Sequence, residues 1–190
     1  ASKLSTIAES EESVHEDTKS DSLPTKKFAG ICGSFRQRDI IFHLTGGGFF
    51  SHIIGSDLPY LLDWSASTGA VVICPEYALL PNHVFPVALN EITAVYSTLV
   101  NGNATAELGF EVNRIVVTGE STGGNLATAL CVKIIQATLR GEQLCGVPGD
   151  VMPRLPDSMM LCCAALNLSL ELSYSRVIGK EDPVLPSGLI

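Results

Sequence analysis

The chain has 190 residues, 46% of them hydrophobic and 17% charged, with mean hydropathy +0.30, 12 basic against 20 acidic side chains and a formal net charge of −8. That length fits one domain, and that hydrophobicity excludes wholesale disorder, which needs few apolar residues and dense charge. The acidic balance, without any basic cluster, gives phosphates no footprint and excludes a nucleic-acid binder.

In chain order, residues 1–26 are rich in Ser, Glu and Asp and read as a solvated, disordered tail. Half the net charge sits in residues 1–22, where Glu9, Glu11, Glu12, Glu16, Asp17 and Asp21 face only Lys3 and Lys19. Residues 27–190 are nearly neutral and form the expected folded domain. Asp39–Leu44 is a short apolar run that stops at Thr45-Gly46-Gly47-Gly48, and Leu58–Ser67 carries a helical spacing. Ala70–Cys74 is a second apolar run, stopped by Pro75. Phe85-Pro86 opens a stronger helix through Ala88, Leu89, Ile92, Val95, Tyr96 and Leu99, ending near Asn101-Gly102. Arg114–Thr118 is a third run, Asn125–Arg140 a third helix that ends by Gly141, and Ser158–Ala165 a fourth run. Runs of this length, apolar on both faces, are what buried parallel strands look like. Strands that alternate with helices imply βαβ units: an α/β fold, a mostly parallel sheet with helices on both faces.

No run reaches about 18 apolar residues, so no membrane-spanning helix is expected. The N-terminus lacks a secretory signal's basic-then-apolar layout, and its first residue, Ala1, fits a processed chain or an excised fragment. The six cysteines (Cys32, Cys74, Cys131, Cys145, Cys162, Cys163) show no Cys-x-x-Cys and no zinc-ligand spacing. Free thiols in a reducing, cytoplasmic compartment and no metal are expected. Cys74, Cys131, Cys162 and Cys163 stand in apolar runs, where a thiol behaves as a small buried hydrophobe. The sequons at Asn103 and Asn167 matter only in a secreted protein.

Two motifs carry chemistry. Gly119-Glu120-Ser121-Thr122-Gly123 is a Gly-x-Ser-x-Gly pentapeptide between an expected strand and an expected helix, the context of a nucleophile elbow. The serine must protrude on a sharp turn, so small residues flank it, and the next helix aims its first N–H groups at a developing anion. A glycine-rich turn holding a phosphate is the alternative, but the Gly-Lys-Ser/Thr ending of a Walker-type loop is absent. Gly46-Gly47-Gly48 offers bare backbone N–H groups for an oxyanion hole; a merely flexible loop is the alternative. Cys74–Pro86 reads as a brace beneath these loops, with His83 a loop hydrogen-bonder rather than a catalyst.

Together with the Tyr77–Pro86 stretch and Gly-Glu-Ser-Thr-Gly-Gly-Asn-Leu-Ala at 119–127, these motifs resemble the hormone-sensitive lipase family of α/β-hydrolases over roughly residues 39–190. Ser56–Trp64, Tyr174-Ser175-Arg176 and Asp182–Pro186 add to the likeness. The resemblance implies a lipase or esterase that acts on small-molecule or lipid esters through an acyl-enzyme, with no cofactor. It makes Ser121 the nucleophile and the N–H groups of Gly47, Gly48 and Thr122 the oxyanion donors, supported by Gly46, Gly119 and Gly123.

Two departures matter. Thr45 stands where the family has a histidine before the glycines, while His43 matches another often seen two residues earlier. In this fold the triad runs serine, acid, histidine along the chain, yet His15, His43, His52 and His83 all precede Ser121. Asp182 follows Ser121 too closely for the triad acid and reads as a turn or helix-start residue. The expectation is a hydrolase domain incomplete at its C-terminal end, inactive by itself, whose fourth strand presents an unpaired apolar edge. The alternative is a non-catalytic small-molecule-binding protein on the same scaffold, as the gibberellin receptors are.

Overall fold

A computed structural model describes residues 35–144, 152–169 and Tyr174. The acidic stretch 1–26, Cys32, Cys145 and the turn expected at Asp182 lie outside these residues. The elements are β1 (Arg36–Leu44), α1 (Ile54–Thr68), β2 (Val71–Ile73), α2 (Val87–Val100), α3 (Thr105–Leu108), β3 (Phe110–Glu120), α4 (Thr122–Arg140) and β4 (Ser158–Cys162). The strands form one sheet in the order β2-β1-β3-β4, and every pairing is parallel. Each expected strand and helix is present. The short α3 and the start of β3 at Phe110–Asn113 lie outside the expected elements.

Register decides which side chains share a face. Ile40 pairs with Ile115, Phe42 with Val117 and Leu44 with Gly119. With Leu89, Ile92, Tyr96 and Leu99 of α2 and Leu126, Leu130 and Ile134 of α4, these residues form the core. Phe42 and Tyr96 meet edge-on at its centre. The intervening positions Ile41, His43, Val116, Thr118 and Glu120 face the other way, towards α1. Helices therefore cover both faces. Opposite Asp39, β3 bulges by one residue, and the Asp39 carboxylate gathers Arg114 Nη2 at 2.5 Å, Asn113 Nδ2 at 2.9 Å and the Arg114 backbone N–H. α2 starts after Pro86, where a missing N–H costs nothing, and α4 stops at Gly141 in the left-handed region.

β4 ends the sheet order, and four of its five residues are exposed. Cys162, one of those four, and Cys163 just after the strand are exposed, against the expectation of buried thiols, because among the described residues β4 is an outer strand of the sheet. Cys74 and Cys131 are half-buried, and burial raises both thiols. Among the described residues no helix is long and apolar enough to cross a membrane.

Candidate active site

The C-terminal ends of β1 and β3 bring the two sequence motifs together. Ser121 follows the last residue of β3 and immediately precedes α4, with φ 51° and ψ −117°. Few L-residues adopt that backbone, and such strain, of order 1–3 kcal/mol, gathers where a side chain must be presented at a fixed angle. The turn is held from β4: the Ser121 N–H donates to the Cys162 carbonyl at 2.9 Å, and the Ala165 N–H donates to the Ser121 carbonyl at 2.9 Å. Thr122 is the first residue of α4, so its N–H has no partner within the helix and sits at the positive end of the helix dipole.

The glycine loop lies beside the serine. A Cβ placed on Gly46 would stand 3.3 Å from the Ser121 Cβ and 3.1 Å from the Glu120 carbonyl oxygen. Gly47 has φ +125°, and a Cβ there would come within 2.0 Å of the Ser51 carbonyl oxygen, so only glycine fits. The Gly47 carbonyl accepts from the Phe50 and Ser51 N–H groups, both at 3.1 Å, and from Ser51 Oγ at 3.2 Å. Across a trans peptide the Gly48 N–H points opposite to that carbonyl, away from the turn that occupies it. Among the described residues no backbone carbonyl takes the Gly47 or Gly48 N–H.

Cys74–Pro86 braces this loop. The Leu80 N–H donates to the Phe49 carbonyl at 2.9 Å, the Tyr77 hydroxyl donates to the Thr45 carbonyl at 2.7 Å, and His52 Nε2 stands 2.9 Å from the Tyr77 carbonyl. His83 is exposed at the surface of this segment.

A buried polar cluster that sequence reasoning missed lies on the α1 side. His43 Nδ1 is 2.8 Å from Thr118 Oγ1, and His43 Nε2 is 3.0 Å from Asp57 Oδ2, with both ring and carboxylate almost fully enclosed. Burial pushes the Asp57 carboxyl up, but hydrogen bonds with His43, Glu120, Tyr60 and Ser56 outweigh it and leave Asp57 below its ordinary value. The hydrogen bond with Asp57, helped by burial, raises Glu120 above the ordinary glutamate value. Glu120 precedes Ser121, and it lines a cavity of about 320 Å³ with Ser56, Tyr60, Trp64, Cys162 and Cys163. A larger opening of about 600 Å³ lies lower on the same face, between Asp39, Trp64, Arg114 and Met160, and holds none of the site residues.

Two of the histidines are thus committed elsewhere: both ring nitrogens of His43 face Thr118 and Asp57, and those of His52 face Thr45 and Tyr77. Among the described residues no three of His, Cys, Asp and Glu gather as metal ligands. Sequence alone pointed to Ser121 and the glycines, because both motifs are contiguous. Asp57 and Tyr60 fall in the Ser56–Trp64 stretch that adds to the likeness, but their contacts with His43, like the His52 clamp, join separate elements that no local pattern connects.

A parallel sheet with a strained serine between strand and helix, and a glycine loop beside it at the end of the neighbouring strand, defines an α/β-hydrolase. Residues 40–187 match the family described as the alpha/beta hydrolase fold, and the chain belongs to that family. It is 33% identical to human hormone-sensitive lipase over 155 residues, which is 82% of this chain and 13% of that protein. It is 29% identical to an esterase of Acinetobacter venetianus, over 77% of this chain and 42% of the esterase. The crystal structure of a hyperthermophilic esterase from the archaeon Pyrobaculum calidifontis superimposes with a TM-score of 0.60 at 28% identity, over 83% of this chain and 45% of that one. The chain therefore spans less than half the length of each of these relatives.

Proposed function

We propose that the protein is a carboxylic ester hydrolase, a lipase or esterase, that works through an acyl-enzyme on Ser121. The observation that carries this reading is the strained strand-to-helix turn at Ser121 with the Gly46–Gly48 loop packed against it. The ester carbonyl oxygen would rest against the N–H groups of Gly47, Gly48 and Thr122, which are worth most when the oxygen gains negative charge. Ser121 Oγ attacks the carbonyl carbon while a general base takes its proton. The tetrahedral species collapses, the alcohol leaves with that proton, and water then releases the acid by the same route.

A serine hydroxyl stays protonated at neutral pH and is a poor nucleophile without its base. No histidine follows Ser121 in these 190 residues, and His43 and His52 are engaged elsewhere. The proposed reaction therefore needs an acid and a histidine besides the described residues. The missing histidine also favours a second reading, a non-catalytic protein that binds a small molecule on the same scaffold. Fluorophosphonate labelling followed by peptide mass spectrometry separates the two. A protein that carries these residues together with downstream chain should be modified at Ser121 and should hydrolyse a short p-nitrophenyl ester. The 190-residue chain by itself should do neither. Robust Ser121-dependent hydrolysis by the short chain would remove the need for an outside base, and an unlabelled longer protein would favour the binder.

A further inference from the structure

Three residues close a ring around the end of the glycine loop. His52 Nε2 lies 2.9 Å from the Tyr77 carbonyl oxygen. A carbonyl only accepts, so Nε2 carries the proton and donates, and Nδ1 of the neutral imidazole is left as an acceptor. That nitrogen faces Thr45 Oγ1 at 3.4 Å, a long contact in which the threonine hydroxyl is the donor. Tyr77 completes the ring: its hydroxyl donates to the Thr45 carbonyl at 2.7 Å, and its aromatic ring meets the His52 imidazole edge-on with centroids 4.5 Å apart.

Thr45 and His52 bracket the loop, and the loop needs bracketing. Gly47, Gly48 and Phe49 have successive positive φ values of 125°, 66° and 67°. Phe49 takes that conformation at a cost in free energy, so it persists only where its surroundings over-determine it. The bonds to the Gly47 carbonyl come from Phe50 and Ser51, within the loop itself. They would survive if the loop swung as a unit. What ties the loop to the rest of the fold is Leu80 on the Phe49 carbonyl, Tyr77 on Thr45 at one end, and His52 at the other.

We propose that His52 is a positioning residue for the oxyanion loop: by linking Thr45 to Tyr77 it fixes where the Gly47 and Gly48 N–H groups stand relative to Ser121. An imidazole thereby supports this loop from beyond its far end, seven residues after Thr45. The proposal rests on the hydrolase reading above.

The test compares the longer protein that carries these residues with its His52→Phe, His52→Ala and Thr45→Val variants. Phe keeps the edge-on contact with Tyr77 and removes both hydrogen bonds. Fluorophosphonate modification of Ser121 and kcat for a p-nitrophenyl ester should each fall about tenfold or more in His52→Phe, with KM within about twofold, as for loss of an interaction made in the transition state. Thr45→Val, which loses only the longer contact, should fall less. A folded His52→Phe that labels and turns over as the parent does overturns the proposal. If the variants do not fold, long-range proton–nitrogen NMR of the parent decides: an Nδ1-protonated His52 could not donate to Tyr77 and would also overturn it. A parent that is never labelled at Ser121 brings down the hydrolase reading and this role with it, while the NMR tautomer still reports whether the ring of contacts exists.

Discussion

A Cβ added to Gly123 would stand 2.0 Å from the carbonyl oxygen of Leu44 and 2.6 Å from that of Thr45, so the first turn of α4 rests directly on the backbone that leads into the glycine loop. Neither partner is a flexible side chain that could move aside. Gly123→Ala should therefore destabilise the fold by about 3 kcal/mol, the upper end for overpacking. Gly55, in the first turn of α1, is the matching control, because nothing lies within 4 Å of its Cβ position. Gly55→Ala should stabilise by roughly 0.5–1 kcal/mol through the lower entropy of the unfolded chain. Urea midpoints for the two variants, moving in opposite directions, would check the packing.

Ser121 sits at φ 51° and ψ −117°, a backbone in which its Cβ is a burden. Ser121→Gly should relieve that strain and raise stability by about 1 kcal/mol, the relief exceeding glycine's extra unfolded-state entropy. The same variant should lose all fluorophosphonate labelling, since the hydroxyl is gone. A gain in melting temperature without labelling is the expected pair of readings. A loss of stability would mean that the turn carries no strain at this residue.

How far the sequence reveals this arrangement depends on whether a feature is local. The Gly-x-Ser-x-Gly turn and the three glycines are contiguous, and each follows an apolar run of strand length, so their place at the strand ends could be read directly. Apolar periodicity likewise marked α2 and α4, whose Leu89, Ile92, Leu126 and Leu130 fill the core. Pairing between distant residues could not be read. His43 meets Asp57 and Thr118 only because β1 lies between α1 and β3, and the Tyr77 hydroxyl reaches Thr45 only because the segment after β2 folds back. An unpaired β4 edge was expected, but the exposure of Cys162 and Cys163 was hidden, since apolar sequence looks the same on an open strand as on a covered one.

Asp57 is lowered and Glu120 raised by the hydrogen bond between their carboxyls, and this sets a pH dependence of stability with opposite limbs. Glu120 is raised above its unfolded value, so its contribution is full below the ordinary glutamate range and is lost as pH rises through the raised value. Asp57 is lowered, so its contribution holds above the ordinary aspartate range and is lost as pH falls through the lowered value. Glu120→Gln keeps an N–H donor towards Asp57 and cannot ionise. Thermal melts between pH 4 and pH 8 should show the parent losing stability on the alkaline side of the unfolded glutamate pKa, with that limb flattened in Glu120→Gln. Parallel curves for the two proteins would mean that Glu120 is not raised in the folded state.

Thiol chemistry tests the open end of the sheet. Alkylation follows the thiolate and its access. Burial raises the thiols of Cys74 and Cys131, whereas Cys162 and Cys163 are exposed at the end of β4. Iodoacetamide at mildly alkaline pH should therefore modify Cys162 and Cys163 first, leaving Cys74 and Cys131 until denaturant is added, as peptide mass spectrometry can follow. The consequence reaches the site, because the Cys162 carbonyl holds the Ser121 N–H and both thiol-bearing residues line the cavity beside Glu120. Equal alkylation of Cys74 and Cys162 would instead place the two thiols in similar surroundings, which the half-buried end of β2 and the open end of β4 do not provide.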